Sequence, residues 1–379
     1  MLVGLAEVLK GHFKKDFNKI PLSYIVIAFL LYTSLSSFSI NHFYISIDDE
    51  IFAFNNPYKN WISMDRWVAG LISLFLFTNP TLPFLPAIFF GVCILITFWV
   101  LAISYNIEKD YLFFIYFLVF TINPIWFFIV IFDGIIPSVG IGLVFSSLSA
   151  YLFKVRDEVE EYKIVIIILS AIFLCIAIGA YQSLLIFTIV SFTSISFIKF
   201  INNRNYKLIL LNFLFALIIV IIALALHLLI SQLFKNIYNI ETSEYILGFI
   251  KLSNINSFTK IFDLLLYEPL RFYSGSEVKY GISLVSIPIL ICALLLHILM
   301  DIKNNGLSFT AISIFIVFSI LSSPFMLNTL GDAMPSRSLF PIASALLTIF
   351  VLLIKLKFNK LIFMLLAIFF LFQSVTANS

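Results

Sequence analysis

The chain has 379 residues, of which 62% are hydrophobic and 11% charged, and its formal net charge is +3. With 45 Phe and 16 Tyr as well, that composition excludes an ordinary soluble domain, and the near-neutral charge gives no argument for a nucleic-acid partner. Apolar runs recur at lengths near or above the roughly 20 residues that cross a bilayer as a helix, and runs such as IVIIILSAIFLCIAI at 164–178 lack the alternation of a β-barrel strand.

These features predict an all-α polytopic membrane protein built as one domain over 1–379. The first twenty residues carry Lys10, Lys14, Lys15 and Lys19 and lead into an apolar stretch, 21–40, with no small-residue cleavage site. That pattern reads as a retained first helix, with residues 2–13 lying on the inner surface, rather than a cleaved signal. Further apolar segments follow at 82–104, 111–132, 134–153, 164–180, 183–198, 208–234, 281–300, 308–322, 338–354 and 361–376. A shorter run, 67–78, is too brief for an easy crossing and predicts a partial helix in the first outer loop. The expectation is therefore a bundle of about 11 transmembrane helices plus that partial one. Cys93, Cys175 and Cys292 each fall inside an apolar run and read as packed small hydrophobes.

None of these segments contains Asp, Glu, Lys or Arg. This argues against a proton relay, and hence against a transporter or flippase. If 1–20, 105–110, 154–163, 199–207, 301–307 and 355–360 are cytoplasmic, they hold most of the 23 Lys and Arg residues. The amino terminus is then inside, the carboxyl terminus outside, and 41–66 and 235–280 are long outer loops. No repeat at a fixed period appears. No phosphate-binding glycine loop or zinc-protease motif has a supporting context either, which argues against nucleotide chemistry.

Polar residues gather at the outer helix ends, and each group has two readings. In SIDDE (46–50), Asp48, Asp49 and Glu50 serve as a helix cap and first-turn acids, over a short helix at 49–56. Alternatively one of them is a general base whose pKa apolar surroundings would raise towards the useful range. In NWISMDRWVAG (60–70), Asp65 and Arg66 pair at the water boundary while Trp61 and Trp67 sit at headgroup depth. In the other reading, Arg66 or Trp67 lines a substrate groove. Asp133, in FDG, is either a turn residue or a second outer carboxylate. Tyr181 and Gln182 form a tight connection between two helices, or supply an amide for a sugar hydroxyl. Arg337 is either an interfacial anchor or a clamp whose guanidinium matches phosphate oxygens in pairs. His227 and His297 read as packing residues.

Acids in the first outer loop, many apolar helices and an Arg near the last outer loop together resemble the GT-C glycosyltransferases. More narrowly, SIDDE, then DRW, YQS and PSRSLFP in that order over about residues 20–345 resemble the Gtr family of O-antigen glucosyltransferases. The resemblance implies a GT-C-like bundle with its active site on the periplasmic face of a bacterial inner membrane. It implies undecaprenyl-phosphate-glucose as donor, lipid-linked O-antigen as acceptor, and a flippase and a donor synthase as genetic partners. Asp49 or Asp48 would then be the catalytic carboxylate, with Arg337 on the carrier phosphate. Glu50, Arg66, Trp67, Asp133, Tyr181 and Gln182 would line the site. No cofactor is expected; the three acids could hold a divalent cation, but no second ligand cluster accompanies them.

Two features depart from the pattern: Asp65 stands where Gly is expected before Arg-Trp, and the chain ends soon after its last apolar run. The rival function is an O-antigen polymerase, which would lean on arginines in 235–280, where only Arg271 occurs.

The charge distribution predicts that 41–66, 235–280 and 324–337 share one side of the membrane. Single cysteines replacing Ser46, Ser253 and Ser336 should all react with an impermeant reagent from the outside. Protection of the Ser46 position while the Ser253 position reacts would overturn this topology.

Overall fold

The computed structural model describes residues 2–35, 56–76, 85–107, 110–132, 134–243, 266–330 and 335–378, and the described residues are helical, with no strand among them. The helices, in order, are α1 (Leu2–Phe17), α2 (Leu22–Leu35), α3 (Tyr58–Ser63), α4 (Trp67–Phe75), α5 (Leu85–Ser104), α6 (Tyr111–Thr121), α7 (Phe127–Val130), α8 (Ile136–Val155) and α9 (Lys163–Ala180). After these come α10 (Leu184–Asn203), α11 (Tyr206–Tyr238), α12 (Glu268–Tyr273), α13 (Glu277–Tyr280), α14 (Ser286–Met300), α15 (Ile302–Asn305), α16 (Leu307–Ser322), α17 (Pro341–Lys355) and α18 (Lys360–Asn378).

Ten helical stretches among the described residues are long and apolar enough to cross a membrane, and an eleventh follows if α1 and α2 count as one bent span. The break between those two is 66° and falls where Pro21 removes an amide donor and disfavours helix in the residue before it. The protein is thus a multi-pass helical bundle. Helix α4 has 9 residues, about 14 Å of rise against a hydrocarbon core of roughly 30 Å, so it cannot span. The run 111–132 is interrupted: Asn123 caps a 3-10 turn at Pro124–Trp126, its side chain accepting from the Ile125 amide at 3.1 Å.

Helices α8, α10 and α17 are the most enclosed and form the centre. On α8, Gly142 lets the start of α10 approach, because a Cβ there would come within 2.2 Å of the Leu184 side chain. Serine and threonine join neighbouring helices across this interior. Ser149 and Ser170 meet at 2.9 Å, and Ser194 and Thr348 at 2.8 Å. Small hydroxyl residues suit close helix packing where no water competes for their bonds. In contrast α11, α14 and α18 are peripheral, and α11 presents Leu210, Leu214, Leu217, Ile221 and Leu228 outward, as expected for a lipid-facing surface. Cys93 and Cys175 are buried, whereas Cys292 is exposed on α14 rather than packed; all three are free thiols.

Several helices end in a left-handed residue that is not glycine, including Asp65, Asn106, Asn239 and Lys357, with φ of 61°, 51°, 52° and 65°. Each is followed by an amide reaching back to the helix: Ile107 to the Ala102 carbonyl, Ile240 to that of Lys235 and Phe358 to that of Leu353, all at 2.9 Å. These are the six-to-one bonds of a Schellman cap, which satisfy carbonyls that the helix end would otherwise leave open.

Charged groups sit at helix ends, as the sequence predicts, yet several are buried. At the end where α8 meets α9, the Arg156 side chain has no exposed surface, its guanidinium 3.9 Å from the Phe153 ring centre and 4.6 Å from that of Phe215. Its Nε donates to Asp157 at 3.0 Å, and Lys199 Nζ donates to the other carboxylate oxygen at 2.7 Å. Burial alone would raise the Asp157 carboxyl. The Lys199 hydrogen bond and the charges of Lys199 and Arg156 outweigh it and hold the carboxyl below the usual carboxylate range. An acid whose pKa falls on folding stabilises the protein above its unfolded value, about 3.9, and that contribution disappears as pH drops through the lower folded value. Asp157→Asn should therefore cost roughly 2 kcal/mol near neutral pH, discounted from a fully buried pair because Asp157 is partly exposed. The variant should also lose less stability than the wild type on acidification below about pH 4. Thermal melts in detergent across that range check both outcomes, and equal acid sensitivity would contradict the ion-pair account.

Candidate functional site

The polar site begins at the turn between α3 and α4. The Asp65 amide bonds the Ile62 carbonyl at 3.0 Å and the Arg66 amide bonds the Trp61 carbonyl at 2.9 Å, a second Schellman cap with Asp65 in the position where glycine is commonest. This explains how the departure from the expected Gly-Arg-Trp is accommodated. Aspartate tolerates the left-handed region better than most residues, and Asp65 has also acquired a partner. Its carboxylate meets Lys235 Nζ, at the end of α11, at 2.6 Å. Lys235 also donates to Thr242 at 2.9 Å, and the Ser243 amide bonds the Ser63 carbonyl at 3.0 Å. The chain leaving α11 is therefore sewn to the α3–α4 turn. Asp65 pairs with Lys235, not with Arg66 as the sequence reading proposed.

Arg66 instead crosses to the connection between α9 and α10. Its Nε donates to Gln182 Oε1 at 2.9 Å, and Gln182 Nε2 donates to the Met64 carbonyl at 2.6 Å. Oxygen and nitrogen of the Gln182 amide thus each make one bond within the protein, and this side chain fixes Arg66. The guanidinium lies 4.4 Å from the Tyr181 ring centre and 5.7 Å from that of Trp61, positions in which the aromatic faces attract a cation. The Tyr181 hydroxyl meets Ser338 Oγ at 3.4 Å. Its neighbour Arg337 lies over the Phe132 ring at 4.8 Å. The short 3-10 helix Ser336–Leu339 and the α9–α10 connection thus bring Arg66, Tyr181, Gln182 and Arg337 to one end of the bundle. Both arginines are half-buried.

Trp67 does not face out from the bundle as an interfacial aromatic would. Both it and Trp61 are buried, at 8% and 3% exposure. The Trp67 indole lies against Gly179, where a Cβ would come within 2.5 Å of the ring, and stacks on Phe234 with centroids 5.6 Å apart. Its N–H donates to His227 Nδ1 at 3.3 Å. This geometry commits Trp67 to holding α4 in the groove between α9 and α11. His227 is thus a buried packing residue with a ring nitrogen satisfied, as the sequence reads it, whereas sequence reasoning missed Ser338 and Lys235. Their partners lie far along the chain, and no local pattern marks them. His297 does behave as a packing residue, bonding the Leu356 carbonyl at 2.8 Å and meeting Phe358 edge-on.

Asp48, Asp49, Glu50 and Asp133, and the short helix expected over 49–56, fall outside the described residues except for residue 56. Among the described residues no group of three His, Cys, Asp or Glu is placed to hold a metal ion.

An all-helical bundle of this kind, with half-buried guanidinium groups collected at one end, defines a multi-pass membrane protein whose polar chemistry sits at helix ends. Residues 37–354 match the family described as glucosyl transferase GtrII. The chain belongs to that family and is a membrane glucosyltransferase. No curated protein and no solved structure matches it.

The Asp65–Lys235 pair yields a sharp stability test. Asp65→Gly removes backbone strain worth roughly 1 kcal/mol but strands the Lys235 ammonium, whose side chain is 8% exposed. The net effect should be destabilising, and Lys235→Met in the same background should recover most of the loss. Thermal melts of the two single variants and the double variant check this. Additive losses, with no coupling between the positions, would show that the pair contributes nothing.

Proposed function

We propose that this glucosyltransferase carries glucose from undecaprenyl-phosphate-glucose to lipid-linked O-antigen on the periplasmic face of a bacterial inner membrane, modifying the serotype of the polysaccharide. On this reading the whole chain acts as one membrane domain with its amino terminus cytoplasmic. A flippase and a donor synthase supply the lipid-linked sugar. The observation that carries the proposal is the chain of contacts from Gln182 through Arg66 and Tyr181 to Ser338, beside Arg337. It brings two arginines to one end of the bundle, which supports reading that end as the place where a lipid-borne phosphate is met. Membership of a glucosyl transferase family favours transfer over polymerisation or flipping.

The step balances as an inverting displacement. An acceptor hydroxyl oxygen attacks the anomeric carbon while the bond from that carbon to the carrier phosphate oxygen breaks. The bonding pair leaves with the phosphate, and the hydroxyl proton passes to a carboxylate on the opposite face, by analogy with inverting glycosidases. Asp49 is assigned as that base, with Asp48 next in order and Glu50 in a binding role. Arg337 stabilises the charge that develops on the departing phosphate, in a site where water is scarce and such contacts are strong. Arg66, fixed by Gln182 and stacked on Tyr181, presents the second cation, and Asp133 is assigned a substrate-binding role.

Asp49→Asn keeps the shape and capping ability of the side chain but cannot accept a proton, so transfer should fall by roughly 10²–10⁴-fold. Arg337→Lys keeps the charge but loses the two-point contact and should lose at least about tenfold. Both are read by transfer from lipid-linked sugar at matched membrane abundance, beside a comparison of O-antigen structure with and without the gene. Full activity in Asn or Gln variants at all three of Asp48, Asp49 and Glu50 would remove the catalytic role of that loop. An O-antigen unchanged by the gene would remove the proposed acceptor.

A further inference from the structure

At the opposite end of the bundle from Arg66 there is a cavity of about 550 Å³. It forms where three chain segments far apart in sequence converge: the link between α1 and α2, the end of α5 with the start of α6, and the last turn of α17. Its apolar wall is Ile20, Ile103 and Ile107, and its charged rim is Lys19, Lys355 and Asp110.

The charges on this rim are unequally engaged. Asp110 turns its carboxylate to its own helix, accepting from the Leu112 amide at 2.9 Å as the N-cap of α6. Asp16, behind the rim, is held by Lys19, by the buried Lys154 at 3.5 Å and by the Tyr151 hydroxyl at 3.2 Å. Lys154 also donates to the carbonyl of the wall residue Ile103 at 3.1 Å. Lys355 is different, since its ammonium meets only the Asn106 carbonyl, at 2.9 Å, among the described residues. That bond uses one of its three donors. Among the described residues the nearby acids are thus engaged, while the ammonium groups of Lys355 and of Lys19, which keeps donors beyond its bond to Asp16, line the cavity beside the three isoleucines. The cap at Asn106 and Ile107 fixes this part of the wall.

We infer that this cavity binds a phosphate group, carried by the headgroup of an anionic phospholipid in the leaflet opposite the glucosyl-transfer site. The two lysines take the phosphate oxygens and the isoleucines take the start of the lipid's apolar part. Basic pockets between helix ends at headgroup depth suit this ligand chemistry. The inference is independent of the donor and acceptor proposed above, because its readout is lipid binding and not transfer.

The test uses the purified full chain in neutral detergent. Short-chain phosphatidylglycerol, short-chain phosphatidylcholine and inorganic phosphate are each titrated while the melting temperature is followed. Phosphatidylglycerol should raise the melting temperature saturably, phosphatidylcholine should not, and inorganic phosphate should act only at far higher concentration. Lys355→Gln should weaken phosphatidylglycerol binding about fivefold, the contribution of one ammonium near an anionic headgroup. That variant gives up a single bond to a backbone carbonyl, so its unliganded melting temperature reports whether the fold is intact. Asn106→Asp is the second variant, because aspartate also tolerates a φ of 51° and places a carboxylate on the rim; it too should weaken binding. Unchanged phosphatidylglycerol affinity in both variants would overturn the site. Inorganic phosphate acting at the same concentration as phosphatidylglycerol would overturn the lipid as its source.

Discussion

In the hydrocarbon core of a bilayer an unpaired peptide group costs several kcal/mol, and in this protein that constraint decides where chemistry can occur. A chain that crosses about ten times must make helices whose backbone bonds close on themselves and whose middles carry no charge. Among the described residues, the Asp, Glu, Lys and Arg side chains of the crossing helices are pushed to the helix ends, so the polar structure forms two separate layers. One is the Arg66, Gln182 and Arg337 end. The other is the end where Asp16, Lys154, Arg156 and Asp157 meet. The bundle between them is held by Phe, Leu and Ile packing with a few buried hydroxyl pairs.

Within each polar layer, burial turns charges into positioning devices. A buried ammonium or guanidinium must find a partner or lose stability, and here several partners lie on a distant segment of the chain. Lys235 ties α11 to the α3–α4 turn through Asp65, Lys199 ties α10 to the α8–α9 connection through Asp157, and Lys154 ties α8 to α1 through Asp16. The ion pairs act as pins between helices that hydrophobic packing alone leaves free to slide. At the Arg66 end the pinning also sets the geometry of the turn. The turn that carries Arg66 is fixed from one side by Lys235 and from the other by Gln182, so its guanidinium is presented from a defined place. A tetrahedral phosphate can present two of its oxygens to the planar fork of such a group.

Membership of the glucosyl transferase family shows a membrane glucosyltransferase. On the proposed reading its donor is carried by a lipid, and such a substrate would be met at the membrane boundary, where helix ends lie, and not in a deep soluble cleft. The half-buried state of both arginines suits that demand, since full exposure would screen them and full burial would close them to the carrier.

Much of this was legible in the sequence. The all-α class, the number of crossings, the short α4 and the crowding of polar residues at Arg66, Gln182 and Arg337 follow from run lengths and composition, because the bilayer imposes one spacing on every crossing helix. The partners of those residues were not legible. Sequence adjacency suggested an Asp65–Arg66 pair and interfacial tryptophans. The folded chain pairs Asp65 with Lys235, spends both ends of the Gln182 amide inside the protein, and buries Trp67 against Gly179 and His227. Pairings across 116 or 160 residues depend on which helices are neighbours and how each is rotated. Those choices are settled by the summed packing of large side chains against one another, which no local pattern records. The sequence by itself determined the helices and the layer in which charge must lie, because solvation acts on each segment separately. Only the tertiary structure decided which charge meets which, because that depends on every segment at once.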